Sequence, residues 1–513
     1  MFQFFRKNPG RSESKTGQSG PDHGEEDLSS SLEDNVAAVR RLFADVDILR
    51  AKYVDNTHDK GFKCCLLYCD GMVDATMVNE SLIKPLMLSR SAAGGNTLDV
   101  LMTQVVQVGE GCKSQSLIEL AEGIAYGDTA LFVEGESQAI LFNTKGFQTR
   151  AITEPDNEKN LYGPREGFTE CLMVNLSMLR RKLLCPDLKL KFLTVGSRTR
   201  TKVCVCYMEG IVDRAVLTEL YRRLEAIDID AVLDANYITE LIRDKPWSTF
   251  RTVGDTERPD TLAAKILEGR VGIILDGTPM ALTVPYLFIE SFQSAEDYYV
   301  NYYYSTFTRW LRMMGFFLTI TVPGLYVAIV GFHHEMLPFQ LFVNITSERT
   351  SVPLPAAVEA FAMILVFDIL KEAGARMPSN VGQALSIVGA LVIGQAAVEA
   401  KLVAAPMIIV VALTGITSML TPRLSASAIY IRLGLLALAS TFGFFGLLVG
   451  LSILLIHIIN LRSFGVPEVM LTGELRHQDL KDTVMRAPWW QMQLRPEIAA
   501  DRDRMGNEED RHE

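Results

Sequence analysis

The chain has 513 residues, a formal net charge of −11 and 22% charged residues, and its mean hydropathy is above zero. That length allows two or three domains, and the acidic balance excludes nucleic acid as the main partner, because such binding rests on cationic patches. The combination describes a soluble part of ordinary polarity joined to a membrane part.

Residues 1–35 are rich in Ser, Gly, Lys, Glu and Asp and read as a disordered tail. Met1–Phe5 offers no secretory signal before Arg6 and Lys7, which assigns the soluble half to the cytoplasmic side. From residue 36 an internal repeat emerges. Phe62–Asp74 (FKCCLLYCDGMVD) and Thr201–Asp213 (TKVCVCYMEGIVD) share Lys63/Lys202, Cys65/Cys204, Tyr68/Tyr207, Gly71/Gly210, Val73/Val212 and Asp74/Asp213. Each reads as a strand, an acidic-Gly turn and an Asp that caps the next helix. A second match follows, ALFVEGESQAILF against GIILDGTPMALT, with turns at Glu134-Gly135 and Asp276-Gly277. The repeat predicts two similar α/β lobes, 36–150 and 188–290, with 151–187 as a helix-bearing connector. It also settles Val271–Ile289 as a strand pair, although its apolarity invites a membrane reading. The eight cysteines all precede the membrane half and lack zinc spacing, so they read as reduced core residues.

Residues 291–310 form an aromatic segment suited to a membrane surface. The membrane domain then runs over 311–462, with four crossings at 311–332, 383–403, 406–421 and 433–459. A fifth helix, 355–372, either lies in the interface or is sheltered from lipid, because Glu359 and Asp368 are costly in hydrocarbon. His333-His334-Glu335 lacks a third ligand and carries no metal reading. Ser386, Ala390, Gly394 and Ala397 form a small-residue stripe at helical spacing, with Gln395 and Glu399 four apart on another face. Gly446 and Gly450 make a further close-packing pair. Residues 463–513 form a cytoplasmic tail, since Arg462, Arg476, Lys481 and Arg486 flank the last crossing. The fold class is thus two α/β lobes followed by an α-helical polytopic membrane domain. No phosphate loop, zinc-protease or serine-hydrolase motif occurs, so the reading is of a non-enzyme that needs no cofactor.

Several stretches in order carry a resemblance: GPREGFTE (163–170), DGTPMALTVPYLF (276–288), LVFDILKEAGARMP (365–378), VGQALSIVGALVIGQAAVEA (381–400), LRSFGVPEVM (461–470) and RAPWW (486–490). From about Leu32 to Arg495 the chain resembles the A subunit of GerA-type spore germinant receptors. The resemblance implies a multi-pass protein of the spore inner membrane, its lobes and tail facing the spore core. It implies a transporter-like B subunit and a lipoprotein C subunit as partners, and a homo-oligomer, a pentamer, whose helices enclose a path for monovalent cations released on nutrient detection. The chain departs from the family pattern at Ile364, where Glu is expected, and at Asp368, where Glu is common. Glu359, Asp368, Ser386, Gln395 and Glu399 are the pore or gating candidates, and Ala390, Gly394, Ala397, Gly446 and Gly450 the helix-packing ones. The alternatives are an auxiliary or scaffold homologue that amplifies germination, or a solute transporter. The cleft between the lobes is one place for a nutrient, and the B subunit is the other.

Overall fold

The computed structural model describes residues 27–57, 62–89, 97–109, 111–146, 154–155, 158–376, 392–469, 481–492 and 495. Helix α1 (Leu32–Leu42) opens the first lobe, capped by the Ser31 hydroxyl, and buries Leu32, Val36 and Val39 at i, i+4 and i+7. The sheet that follows has strands β1 (Leu49–Asp55), β2 (Lys63–Cys69), β3 (Gly111–Ser114), β4 (Thr129–Val133) and β5 (Ala139–Phe142), in the antiparallel order β1-β2-β4-β5-β3. Helix α2 (Leu117–Tyr126) packs on it and ends at Gly127, whose φ of 101° suits glycine.

The second lobe repeats this plan. Helix α3 (Leu172–Lys182) is followed by β6 (Leu188–Val195), β7 (Thr201–Met208), helix α4 (Arg214–Glu225), β8 (Gly254–Thr256), helix α5 (Pro259–Leu267), β9 (Val271–Leu275) and β10 (Ala281–Val284). Its sheet order is β6-β7-β9-β10-β8. Asp74 and Asp213 each accept a backbone N–H at a helix start. All five residues of β4, and all five of β9, are buried. A central strand covered on both faces has no polar side to show, which explains why Val271–Ile289 looks like a membrane segment in sequence.

The structure revises the 151–187 connector, because α3 is the counterpart of α1. Asn35 Oδ1 accepts the Ser29 N–H at 2.9 Å and Asn175 Oδ1 accepts the Thr169 N–H at 2.7 Å. The acidic turn of each lobe then caps that helix: Glu134 accepts from the Leu32 N–H at 3.1 Å and Asp276 from the Leu172 N–H at 3.0 Å. The unit of repetition therefore begins with the helix, at Leu28 and Phe168, and not at the first strand. Leu32 also falls inside the expected 1–35 tail, yet it is buried at the head of α1.

The two lobes share an apolar core. Cys65, Leu67 and Cys69 of β2, Leu172, Leu176 and Leu179 of α3, and Leu190, Cys204 and Cys206 of the second sheet share one apolar core. Backbone bonds link Asp45 and Asp47 to Leu190 across the same boundary. The two sheets share that core; Cys64, Cys65, Cys69, Cys204 and Cys206 are buried core residues as expected, whereas Cys112 and Cys171 are exposed and Cys185 is half-buried, and all eight are free thiols.

The helical half begins with α6 (Tyr302–Phe332), capped by Asn301. It starts nine residues before the expected crossing and so absorbs much of the aromatic segment. Helix α7 (Ala356–Ala375), helix α8 (392–399), helix α9 (Ala405–Met419) and helix α10 (Ser425–Ile459) follow. Two helical stretches, Tyr302–Phe332 and Pro422–Ile459, are long and apolar enough to cross a membrane. Helix α7 runs parallel to α9: Glu359 meets Ala404, Phe367 lies over Gly415, and Lys371 reaches Ser418.

Helix α10 corrects the single crossing expected at 433–459. Gly443, at φ 60° and ψ −139°, breaks it into two legs. Ser427 in the first leg bonds the Thr249 carbonyl, and His457 in the second bonds Ser248 at 3.0 Å, so both ends return to one loop of the second lobe. The tip sits against Phe332, at the far end of α6. The legs are about 27 and 24 Å long at 1.5 Å per residue, each close to the thickness of a bilayer core. Gly446 and Gly450 allow this turn, since a Cβ there would strike Leu438 and Leu435 of the opposing leg. Gly443→Val should therefore destabilise the hairpin by roughly 2–4 kcal/mol, through a backbone angle closed to β-branched residues and a clash with Phe332. A fall in thermal unfolding temperature, with new protease cuts near Ser248 and His457, is the expected readout.

Candidate functional site: the joint between lobes and helices

The charged residues of the joint gather where α6 leaves the second lobe. Arg309 is fully buried about two turns into α6. Its Nε donates to Asp297 Oδ2 at 3.0 Å, and its Nη1 to Asp482 Oδ1 at 2.9 Å. Arg312, one turn further, also binds Asp297. Tyr298 donates its hydroxyl to Asp482 at 2.8 Å. Burial pushes both the Tyr298 phenol and the Asp482 carboxyl up, the latter against the pull of Arg309. Segment 481–492 is thus strapped to the head of α6 by buried charge, and not left as a free tail.

A second set of pairs ties the lobe to the helix starts. Glu290 is buried, takes Lys265 Nζ at 2.6 Å and pairs with Arg270. Glu158 pairs with Arg423, which sits between α9 and α10, while also accepting from Thr256 at 2.7 Å. Between these pairs runs a chain of edge-on rings: Phe250–Phe288 at 5.5 Å, Phe288–Phe292 at 5.5 Å and Phe292–Phe316 at 5.8 Å. It passes from the second lobe into α6 as packed apolar matter, which transmits displacement better than a solvated loop does.

The third element is the hairpin β11 (Arg462–Ser463) and β12 (Val466–Pro467), reached from the end of α10. Ser463 Oγ donates to the Thr252 carbonyl at 2.6 Å and accepts the Tyr286 N–H at 2.9 Å. Phe464 N–H donates to Asp244 at 2.6 Å, and the Arg223 guanidinium covers the Phe464 ring. Glu468 closes the hairpin. It is 1% exposed, and neither carboxyl oxygen has a hydrogen-bond partner among the described residues. Burial pushes its pKa up to about 8, with Asp244 adding to the rise and Lys245 and Arg243 opposing it.

The sequence-selected acids sit elsewhere, within the helices. Glu359 is fully buried and its Oε1 accepts the Ala404 N–H at 2.6 Å, so it caps the start of α9. Asp368 pairs with Arg432 at 2.6 Å. Ile364 is buried among apolar residues of α7 and α9. Ser386 and Ala390 lie outside the described residues. Gly394 is buried against Ile408 of α9 and Ala397 is half-buried beside it, so this end of the small-residue stripe packs within the chain. Gln395 and Glu399 are exposed, as are Val392 and Ile393. Among the described residues no group of three or more His, Cys, Asp or Glu is placed to hold a metal ion.

What the sequence missed is the joint itself. Its partners are far apart in the chain, and the available signal was weak: Arg309 and Arg312 at the start of an apolar helix, and the acid in LRSFGVPEVM.

Two lobes fused into one body and strapped by buried charge to an apolar helical bundle define a membrane-associated protein that links a soluble domain to helices. The model of the Bacillus/Clostridium GerA spore germination protein family matches residues 37–498, and the chain belongs to that family. Spore germination protein KA of Bacillus subtilis is 40% identical over 93% of this chain and 88% of its own length. The uncharacterized membrane protein YfkQ of the same organism is 39% identical over 84% of each chain. Among solved structures, the N-terminal domain of the A subunit of the Bacillus megaterium spore germinant receptor GerK3 matches 52% of this chain and 99% of that one, at 28% identity and a TM-score of 0.42.

Proposed function

We propose that this chain is the A subunit of a nutrient-sensing spore germinant receptor, working in the spore inner membrane with a B subunit and a lipoprotein C subunit. The observation that carries the reading is the family match over 37–498, which takes in both lobes, the joint and all the helices. The lobes and segment 481–492 face the spore core. In support, α6 leaves the second lobe and both legs of α10 return to it.

Several copies, a pentamer by the family resemblance, enclose a path for monovalent cations that opens on nutrient detection. Asp368 is paired within one chain and Glu359 Oε1 caps α9, while Glu359 Oε2 has no partner among the described residues; among the described candidates, Gln395 and Glu399 are the exposed ones that could face water between copies. Acidic side chains at a pore mouth concentrate cations. In vesicles holding the whole receptor, Glu399→Ala is expected to lower nutrient-triggered potassium efflux several-fold, on the order of what one ring of charge contributes. Glu359→Ala is expected instead to lower folded yield. Unchanged efflux in Glu399→Ala removes α8 from the path. One observation favours an auxiliary scaffold: a single copy already pairs Asp368 with Arg432. A stoichiometry of one copy per complex, with no efflux, selects that reading.

A further inference from the structure

A cavity of about 750 Å³ opens beside the head of α6. Phe307, Leu311 and Met314 line one wall at helical spacing, Met485 and Pro488 line the other, and Lys481 and Arg486 stand at its edge. No carboxylate among the described residues lines it. Arg486 is 5% exposed and its Nε has no partner among the described residues; its guanidinium is held over the Trp489 ring at 5.4 Å. An arginine fixed this way presents its remaining donors without further ordering, which suits a planar or tetrahedral oxyanion.

Depth decides what that anion belongs to. Helix α6 is about 46 Å long at 1.5 Å per residue, whereas a hydrocarbon core spans about 30 Å. With Phe332 and the Gly443 tip at the far surface, hydrocarbon ends near Arg312. Leu311 and Met314 then lie at the acyl boundary, and Lys481 and Arg486 lie at headgroup depth, where exposed Trp310 and Trp490 also belong. We propose that this groove binds one anionic phospholipid, its phosphate at Lys481 and Arg486 and the upper part of an acyl chain along Phe307, Leu311 and Met314. The lipid seals the strap formed by 481–492 onto α6, which makes the joint sensitive to the charge of the adjoining leaflet. The inference rests on the membrane placement given above.

Tryptophan quenching by brominated lipid tests it, in the full chain carrying Trp247→Phe, so that only Trp310, Trp489 and Trp490 report. The protein is reconstituted in phosphatidylcholine containing a minor fraction of phosphatidylglycerol, with bromine placed on either lipid at equal mole fraction. Brominated phosphatidylglycerol should quench more strongly, and the excess should fall on the order of tenfold in Lys481→Gln/Arg486→Gln, as two basic groups beside an anionic surface predict. Arg486→Lys should keep most of it. If the double variant does not fold, Lys481→Gln alone, at the edge, should still reduce the excess. Equal quenching by the two lipids overturns the proposal while leaving the membrane placement intact. Quenching by neither overturns both. Displacement of the excess by inorganic phosphate, or a Leu311→Cys crosslink between two copies that abolishes it, assigns the groove to another occupant and overturns the proposal.

Discussion

Arg309→Leu is expected to cost about 3–5 kcal/mol and to release residues 481–492 from the head of α6. The guanidinium is fully buried and bridges Asp297 and Asp482. Its removal leaves Asp482 with only the Tyr298 hydroxyl, while Asp297 retains Arg312. Most of the loss is the penalty of leaving the largely covered Asp482 carboxylate, 26% exposed, without its cation, not the value of the pair itself. The double variant Arg309→Leu/Asp482→Leu should therefore be more stable than Arg309→Leu alone. Limited proteolysis within 481–492 and thermal unfolding of the full chain measure both, and a single variant that unfolds with wild-type temperature and cuts contradicts this account of the strap.

The hairpin in α10 changes how force can pass through the molecule. A single crossing at 433–459 would connect the lobes to the far side through one helix. Two legs joined at Gly443 instead bring both ends to Ser248 and Thr249, beside Phe250. A shift of that loop then moves both legs together, and α6 with them, because Gly324 of α6 packs against Leu435, Ala439 and Leu447. The joint is thus one rigid contact between the second lobe and three helical segments, which is the kind of packed element that switches between discrete arrangements.

The lobes were legible in the sequence because their signals are local. Alternating strands, an acidic-Gly turn and an Asp cap all fall within a dozen residues, and a second copy calibrates the first. The helix that opens each lobe was harder. Its hydrophobic face is short, and Ser29 with Asn35 stands in a stretch whose composition resembles the preceding tail; only the matching Thr169 and Asn175 spacing marks it. The Gly443 turn was illegible because glycine is ordinary in membrane helices and no charged residue interrupts 433–456. The stripe and the Gly446/Gly450 pair read in sequence as close-packing positions, but sequence cannot say whether the partner is another chain. Where described, the partner is this one. The ion pairs at the joint join residues separated by up to 265 positions, a distance at which no periodicity survives.

Glu468 gives the joint a pH dependence whose sign is fixed by its surroundings. The carboxyl has a folded pKa of about 8 against an ordinary 4.5. Between those values the native hairpin holds a proton that the undocked chain has lost. Its full contribution is present below about pH 4.5, declines as pH rises, and is gone above about pH 8, with a total on the order of 3–5 kcal/mol. Asp244, beside it, is held by the Phe464 N–H and Arg223. Docking of β11–β12 on the second lobe should weaken as pH rises through that window. Glu468→Gln, which cannot ionise, should flatten the slope and be more stable than wild type at pH 8.5. Protease cutting between Leu461 and Val469, followed against pH in both proteins, measures it. Parallel profiles for the two proteins would show that Glu468 is ionised when buried, and the undocking would then have to be traced to another group.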